Sequence, residues 1–182
     1  VYSESQHIPI SHVSPEAADI SVTYFAPSKT FNIAGFSTSV YVAKNEKIRK
    51  QLSESMRMIL GHPNILGLHA ALAAYRDGGP WLDEALNYMQ ANRDFLVDYV
   101  TGELPGVEVW RPEGTFLAWL DCRRLGFNGL PGEFFLKNGG VGLNEGSDFG
   151  KAGEGFVRLN FGCPRKLLEQ GLGRMKTAID SR

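Results

Sequence analysis

Cysteine, histidine and surplus charge are scarce in this chain, and each scarcity closes off a class of protein. Of 182 residues only Cys122 and Cys163 are cysteines, without CxxC spacing, so neither a disulfide framework nor a zinc site is expected. The 19 Lys and Arg against 20 Asp and Glu leave a formal net charge of -1. A nucleic-acid or anionic-membrane binder would need a basic excess. No window approaches ~18 consecutive apolar residues, no basic-then-apolar leader opens the chain, and repeats and low-complexity tracts are missing. The reading is a soluble, cytoplasmic protein of a reducing compartment. What is present supports a real core, since 43% of residues are hydrophobic and 21% charged. The length holds one full domain or two small ones. The chain opens on Val1 rather than Met, and its first residues read as a loop leaving a structure already under way.

Residues 1–19 are polar and turn-rich. Ile20 to Phe25 alternates apolar and polar residues and reads as a strand, Ala26 to Gly35 as a loop, and Ser37 to Ala43 as a second strand. From Glu46 the spacing of Ile48, Leu52, Met56 and Ile59 predicts a helix. Asn64 caps another, through Leu66, Ala70, Ala71, Ala74 and Tyr75, which stops at Gly78-Gly79-Pro80. Trp81 opens a longer helix to about Val100. Val107 to Trp110 and Thr115 to Asp121 form a hairpin-like pair, Gly132 to Asn138 a short helix, Gly140 to Leu143 a short strand and Gly155 to Phe161 a strand. Pro164 to Ile179 closes as a helix with Leu167, Leu168, Leu172, Met175 and Ile179 inward. The pattern is α/β material followed by a smaller α+β unit, with the boundary near the long helix.

Most candidate sites fail on spacing. The Gly-rich run 139–155 lacks Gly at Glu145 and has Ala152 after Lys151, so it is no GxxxxGK[ST] phosphate loop. Gly140-x-Gly142 is not followed by the third Gly of GxGxxG. His7, His12, His62 and His69 have no clustered carboxylate or thiol to complete a metal set. No Ser stands in a GxSxG elbow, and Cys163 before Pro164 reads as a packed residue. Two cations stand out. Lys29 follows a buried-looking strand in a loop of small and apolar residues, where lost hydration favours the neutral, nucleophilic amine; its ordinary alternative is an exposed loop lysine. Arg158 shares a strand face with Phe156 and Asn160, opposite Val157, Leu159 and Phe161. It is either a fixed carboxylate receptor or one end of a rim salt bridge.

The segment Ala26-Pro27-Ser28-Lys29-Thr30-Phe31-Asn32-Ile33-Ala34-Gly35 resembles the cofactor-lysine segment of fold-type I pyridoxal-phosphate enzymes. More closely, it resembles the class I/II aminotransferase branch containing the MalY/PatB-type cystathionine β-lyases. His7-Ile8-Pro9, the run Ser14 to Asp19, Pro112 to Asp121 and Val157 to Arg165 fit the same branch, in the family's order, over nearly the whole chain. The resemblance implies the C-terminal part of the aspartate aminotransferase-like fold: residues 1–90 would be the end of the large cofactor domain with the linking helix, and 91–182 the small α+β domain.

By that resemblance the cofactor is pyridoxal 5'-phosphate. Lys29 bonds its aldehyde and serves as the general base, Ser28 lies near its phosphate, and Arg158 binds the α-carboxylate of an amino-acid substrate. Ser37, eight positions beyond Lys29, stands where many relatives carry a phosphate-binding Arg. The family's ring-stacking aromatic, its Asn on the cofactor oxygen and its Asp on the pyridine nitrogen would precede Val1. The expectation is therefore a portion of a homodimeric enzyme, a C–S β-lyase ahead of an aminotransferase, with little activity alone. The alternatives are a non-catalytic, partner-binding module of the same fold, or a lysine enzyme acting on carbonyl substrates without the cofactor.

Overall fold

A computed structural model describes residues 1–60 and 62–182. They form two compact units, one of Gln6–Ala85 and one joining Val1–Ser5 to Leu86–Arg182. No helix among the described residues is long and apolar enough to cross a membrane.

The opening of the first unit is less irregular than its composition predicts. A 3-10 turn at Ile10–His12 precedes α1 (Pro15–Ile20). The Ser14 hydroxyl accepts the Ala17 N–H at 3.1 Å, and Pro15 sits where its missing donor costs nothing. Because α1 takes Ile20, the expected strand shrinks to β1 (Thr23–Phe25). The expected loop 26–35 likewise contains α2 (Pro27–Thr30), a single turn that Pro27 starts with its preset φ, and a 3-10 turn at Ala34–Phe36. Ser37 is left-handed at φ 49°, which delays the next strand to β2 (Val40–Val42). β2 runs antiparallel to β1, with Thr23 opposite Val42 and Phe25 opposite Val40.

The Asn45 side-chain oxygen accepts the Lys47 and Ile48 N–H groups at the start of α3 (Glu46–Leu60). Asn64 does the same for Leu66 at the start of α4 (Ile65–Asp77). The Gly78-Gly79-Pro80 break is real: α4 ends at Asp77 and α5 (Gly79–Glu103) begins at Gly79.

In the second unit, β3 (Glu108–Val109), β4 (Leu117–Asp121), β5 (Asn144–Glu145) and β6 (Phe156–Asn160) form one antiparallel sheet in the order β3-β4-β6-β5. The expected strand at 140–143 lies instead at Asn144–Glu145, where pairing partners exist on β6. Alternation puts Ala118 and Leu120 of β4 and Val157 and Leu159 of β6 on one face. There they meet Leu96 and Val100 of α5, Leu104 just beyond it, Phe135 of α6 (Pro131–Gly139) and Leu168, Leu172 and Met175 of α7 (Arg165–Asp180). Each such side chain contributes about 1.5–3 kcal/mol by leaving water. Leu167, expected inward, is exposed, because the row 168, 172, 175 sets the buried stripe of α7.

Two polar clusters hold this unit. Asn92, fully buried, donates to the carbonyls of Phe161 and Cys163 and accepts from Arg165 Nε at 2.8 Å, which ties the end of β6 to α5. Arg93, 1% exposed, pairs with Glu4 at 2.5 Å and Asp94 at 2.7 Å and lies over the Tyr2 ring. That pairing fastens the first five residues to this unit.

Candidate functional site

Ser28 and Lys29 are neighbours on α2, in the first unit. Pro27 is buried there, and two helical positions rotate the chain by about 200°, so Lys29 points away from that contact into solvent. The expectation of a dehydrated lysine is thereby corrected: β1 is not a buried strand, since Tyr24 and Phe25 are themselves exposed. The amine makes no hydrogen bond or ion pair among the described residues. An aromatic group packs at the end of the same helix. Phe31, at the end of α2, meets Tyr75 edge-on at 5.7 Å and Trp81 at 6.3 Å. Asn32 (φ 55°) and Ser37 (φ 49°) both hold the left-handed conformation, strained for a non-glycine residue. The backbone around Lys29 is thus specified more tightly than a plain connection needs.

Arg158 belongs to the second unit and sits at the centre of a row across three strands, Trp119 on β4, Arg158 on β6 and Asn144 on β5. Its expected face is observed, because Val157, Leu159 and Phe161 are in the core while Arg158 stays half-buried on the other side. One terminal nitrogen donates to Asn144 Oδ1 at 2.9 Å, and the guanidinium carbon lies 4.6 Å from the centre of the Phe149 ring. Nε is covered and has no partner among the described residues. No carboxylate neutralises it there. Two acids on the same sheet face are engaged elsewhere: Arg123 binds both oxygens of Asp121 and holds its carboxyl below the usual range, and Glu108, opposite Asp121, pairs with Arg124. The rim salt bridge offered as the alternative for Arg158 is therefore not formed among these residues.

The remaining candidates do not join these. His7, His12, His62 and His69 are exposed. Burial pushes the Cys122 thiol up to about 12 and raises that of half-buried Cys163, so neither is an activated nucleophile. The Gly-rich run is a crossing rather than an anion loop. Gly146 and Gly153 pass backbone against backbone, leaving no room for a Cβ on either, and the first of the two 3-10 turns in that run, Gly146–Phe149, carries Phe149. Sequence reasoning missed Asn144, Phe149 and Trp119. Cross-strand register, which sequence does not reveal, is what brings them to Arg158.

The family described as aminotransferase class I and II matches residues 1–175. The chain belongs to it. Its fold is that of the C-terminal half of the pyridoxal-phosphate-dependent aminotransferase-fold proteins it superposes on. Cystathionine beta-lyase PatB of Bacillus subtilis is 41% identical over 96% of this chain and 46% of its own length. Protein MalY of Escherichia coli is 34% identical over 98% and 46%. The crystal structure of cystalysin from Treponema denticola, which contains a pyridoxal 5'-phosphate cofactor, superposes with a TM-score of 0.93 at 30% identity, covering 100% of this chain and 46% of that one. The chain thus spans about half the length of the curated relatives it matches.

Proposed function

We propose that this chain supplies the covalent lysine and the carboxylate receptor of a pyridoxal-phosphate enzyme acting on an amino acid, a C–S β-lyase ahead of an aminotransferase. The observation that carries the reading is that Lys29 and Arg158, the two cations of the family motifs, stand without an acidic partner among the described residues. Both charges stay available to a ligand. The fit to the cofactor is chemical: an accessible primary amine suits an aldehyde, and the preceding Ser28 hydroxyl can donate to a phosphate oxygen. Residues 1–90 would then be the end of the cofactor domain with the linking helix, and 91–182 the small domain. The proposal extends to a homodimer in the cytoplasm, with neither nucleic acid nor membrane as partner; the net charge of -1 supports the last part.

Bound pyridoxal phosphate supplies an electron sink for the pair left at the substrate Cα. Arg158 fixes the α-carboxylate through its N–H groups and so sets which Cα bond faces the base. Lys29, as the general base, would take the Cα proton on Nζ. With a thiolate on Cβ, loss of that proton and departure of the thiolate lead, with water, to thiol, pyruvate and ammonia. With no leaving group on Cβ, the same Lys29 Nζ would hold and return the proton, as transamination requires. The relatives' names, cystathionine beta-lyase among them, support the first outcome.

The test is a visible spectrum with pyridoxal phosphate, followed by borohydride reduction and peptide mass mapping. A reduced adduct on Lys29, missing in Lys29→Ala, is expected. An unmodified Lys29 peptide overturns the reading in favour of a non-catalytic module, and trapping of a carbonyl substrate at Lys29 without cofactor would favour the third alternative.

A further inference from the structure

We propose that Asn144 and Phe149 are positioning residues forming a neutral clamp, which orders the Arg158 guanidinium while leaving its charge for the substrate carboxylate. The inference rests on the role proposed for Arg158 above. Arg93 and Arg123 of this unit are gripped by acids, Arg93 by Glu4 and Asp94 and Arg123 by Asp121, whereas Arg165 is held by neutral groups, Asn92 Oδ1, the Ala91 carbonyl and the Phe95 ring. Arg158 is held by an amide oxygen at 2.9 Å and by an aromatic face at 4.6 Å. Both partners restrict rotation, and neither cancels the charge. Both are exposed, and each has contacts of its own. The Phe149 ring meets Trp119 edge-on at 5.6 Å, and the Gly146–Gly153 crossing sets the turn that bears it. Asn144 is seated by β5, whose next residue, Glu145, accepts the Glu133 N–H at 2.8 Å at the start of α6, against a bare Gly132.

Preorganisation matters because an arginine left to rotate must be ordered at the moment of binding. Neutrality matters because an acid at position 144 would hold the guanidinium equally well yet compete with the ligand. Asn144→Asp therefore separates the clamp from mere support. Arginine side-chain ¹⁵N–¹H spectra of this chain, with Arg158 assigned through Arg158→Lys, are expected to show an ordered Arg158 Nε–H signal. It should collapse onto those of exposed arginines in Asn144→Ala and Phe149→Leu, and persist in Asn144→Asp. An Arg158 signal indifferent to Asn144→Ala and Phe149→Leu overturns the clamp whatever the enzyme does. In the cofactor-loaded, active protein, KM for the amino acid should rise about tenfold in Asn144→Ala, the value of one hydrogen bond to a charged group. It should rise further in Asn144→Asp, with kcat little changed in both. Asn144→Asp binding as well as wild type overturns the neutrality argument. An unchanged KM in Arg158→Lys sinks the carboxylate role of Arg158 itself, while the spectra still decide the clamp.

Discussion

The two units of this chain invest their apolar residues differently. Residues 86–182, with the first five, place Leu96, Leu120, Phe135, Val157, Phe161, Leu172 and Met175 almost wholly out of water in one core. Residues 6–85 bury mainly small side chains, Ala18, Pro27, Ala43 and Ala71, and expose Ile20, Tyr24, Phe25, Val42, Ile65, Leu66 and Leu72. Helix caps and two short strands give the first unit local order, but little of its apolar surface is removed from water. The contrast separates local structure, which caps and prolines can specify, from stability, which needs a filled core.

Hydrogen exchange offers the largest test of that contrast. Amides of β4, β6 and α7 should exchange on the order of a thousandfold more slowly than those of β1, β2 and α3. Equal protection would break the comparison outright. Phe135→Ala should cost about 3–5 kcal/mol in denaturant unfolding, whereas Leu66→Ala, already exposed, should stay within about 0.5 kcal/mol.

Charges should follow the same rule. Arg93→Ala removes a buried partner of two part-exposed carboxylates and should cost about 2–3 kcal/mol. Arg76→Ala breaks an exposed pair and should cost under about 0.5 kcal/mol.

Alkaline pH should act on the second unit through Tyr2 and Cys122. Burial raises the Tyr2 hydroxyl to about 12 and the Cys122 thiol to about 12. The folded state therefore keeps protons that the unfolded chain gives up near the ordinary values of 10.0 and 9.0. The stabilisation is complete below about pH 9 and is lost as pH climbs towards about 12. Tm in that window should fall less steeply in Tyr2→Phe with Cys122→Ala than in the wild type. A modest effect is expected at a cap of the first unit: Asn64→Ala should lower the helicity of α4 at a cost of about 1 kcal/mol.

Much of the fold was legible where a local rule governs it. The Gly78-Gly79-Pro80 break, the Asn64 cap and the alternation around Arg158 rest on backbone chemistry within a few residues. Errors came where two local signals competed. Ile20 looked like the start of a strand but was drawn into α1 by the Ser14 cap and Pro15. Lys29 looked shielded because a strand-like stretch preceded it, although the rotation of α2 from Pro27 turns it outward. The site was legible as residue types in family order, and its geometry was not.

Sequence alone determined the family and most helix limits, because ordered motifs are read residue by residue and capping, proline and periodicity act over a turn or two. Tertiary structure alone decided which strand lies beside which, and hence that Trp119, Phe149 and Asn144 surround an arginine that no acid among the described residues neutralises. Register depends on which faces are buried across the whole sheet, a property no stretch of chain holds by itself.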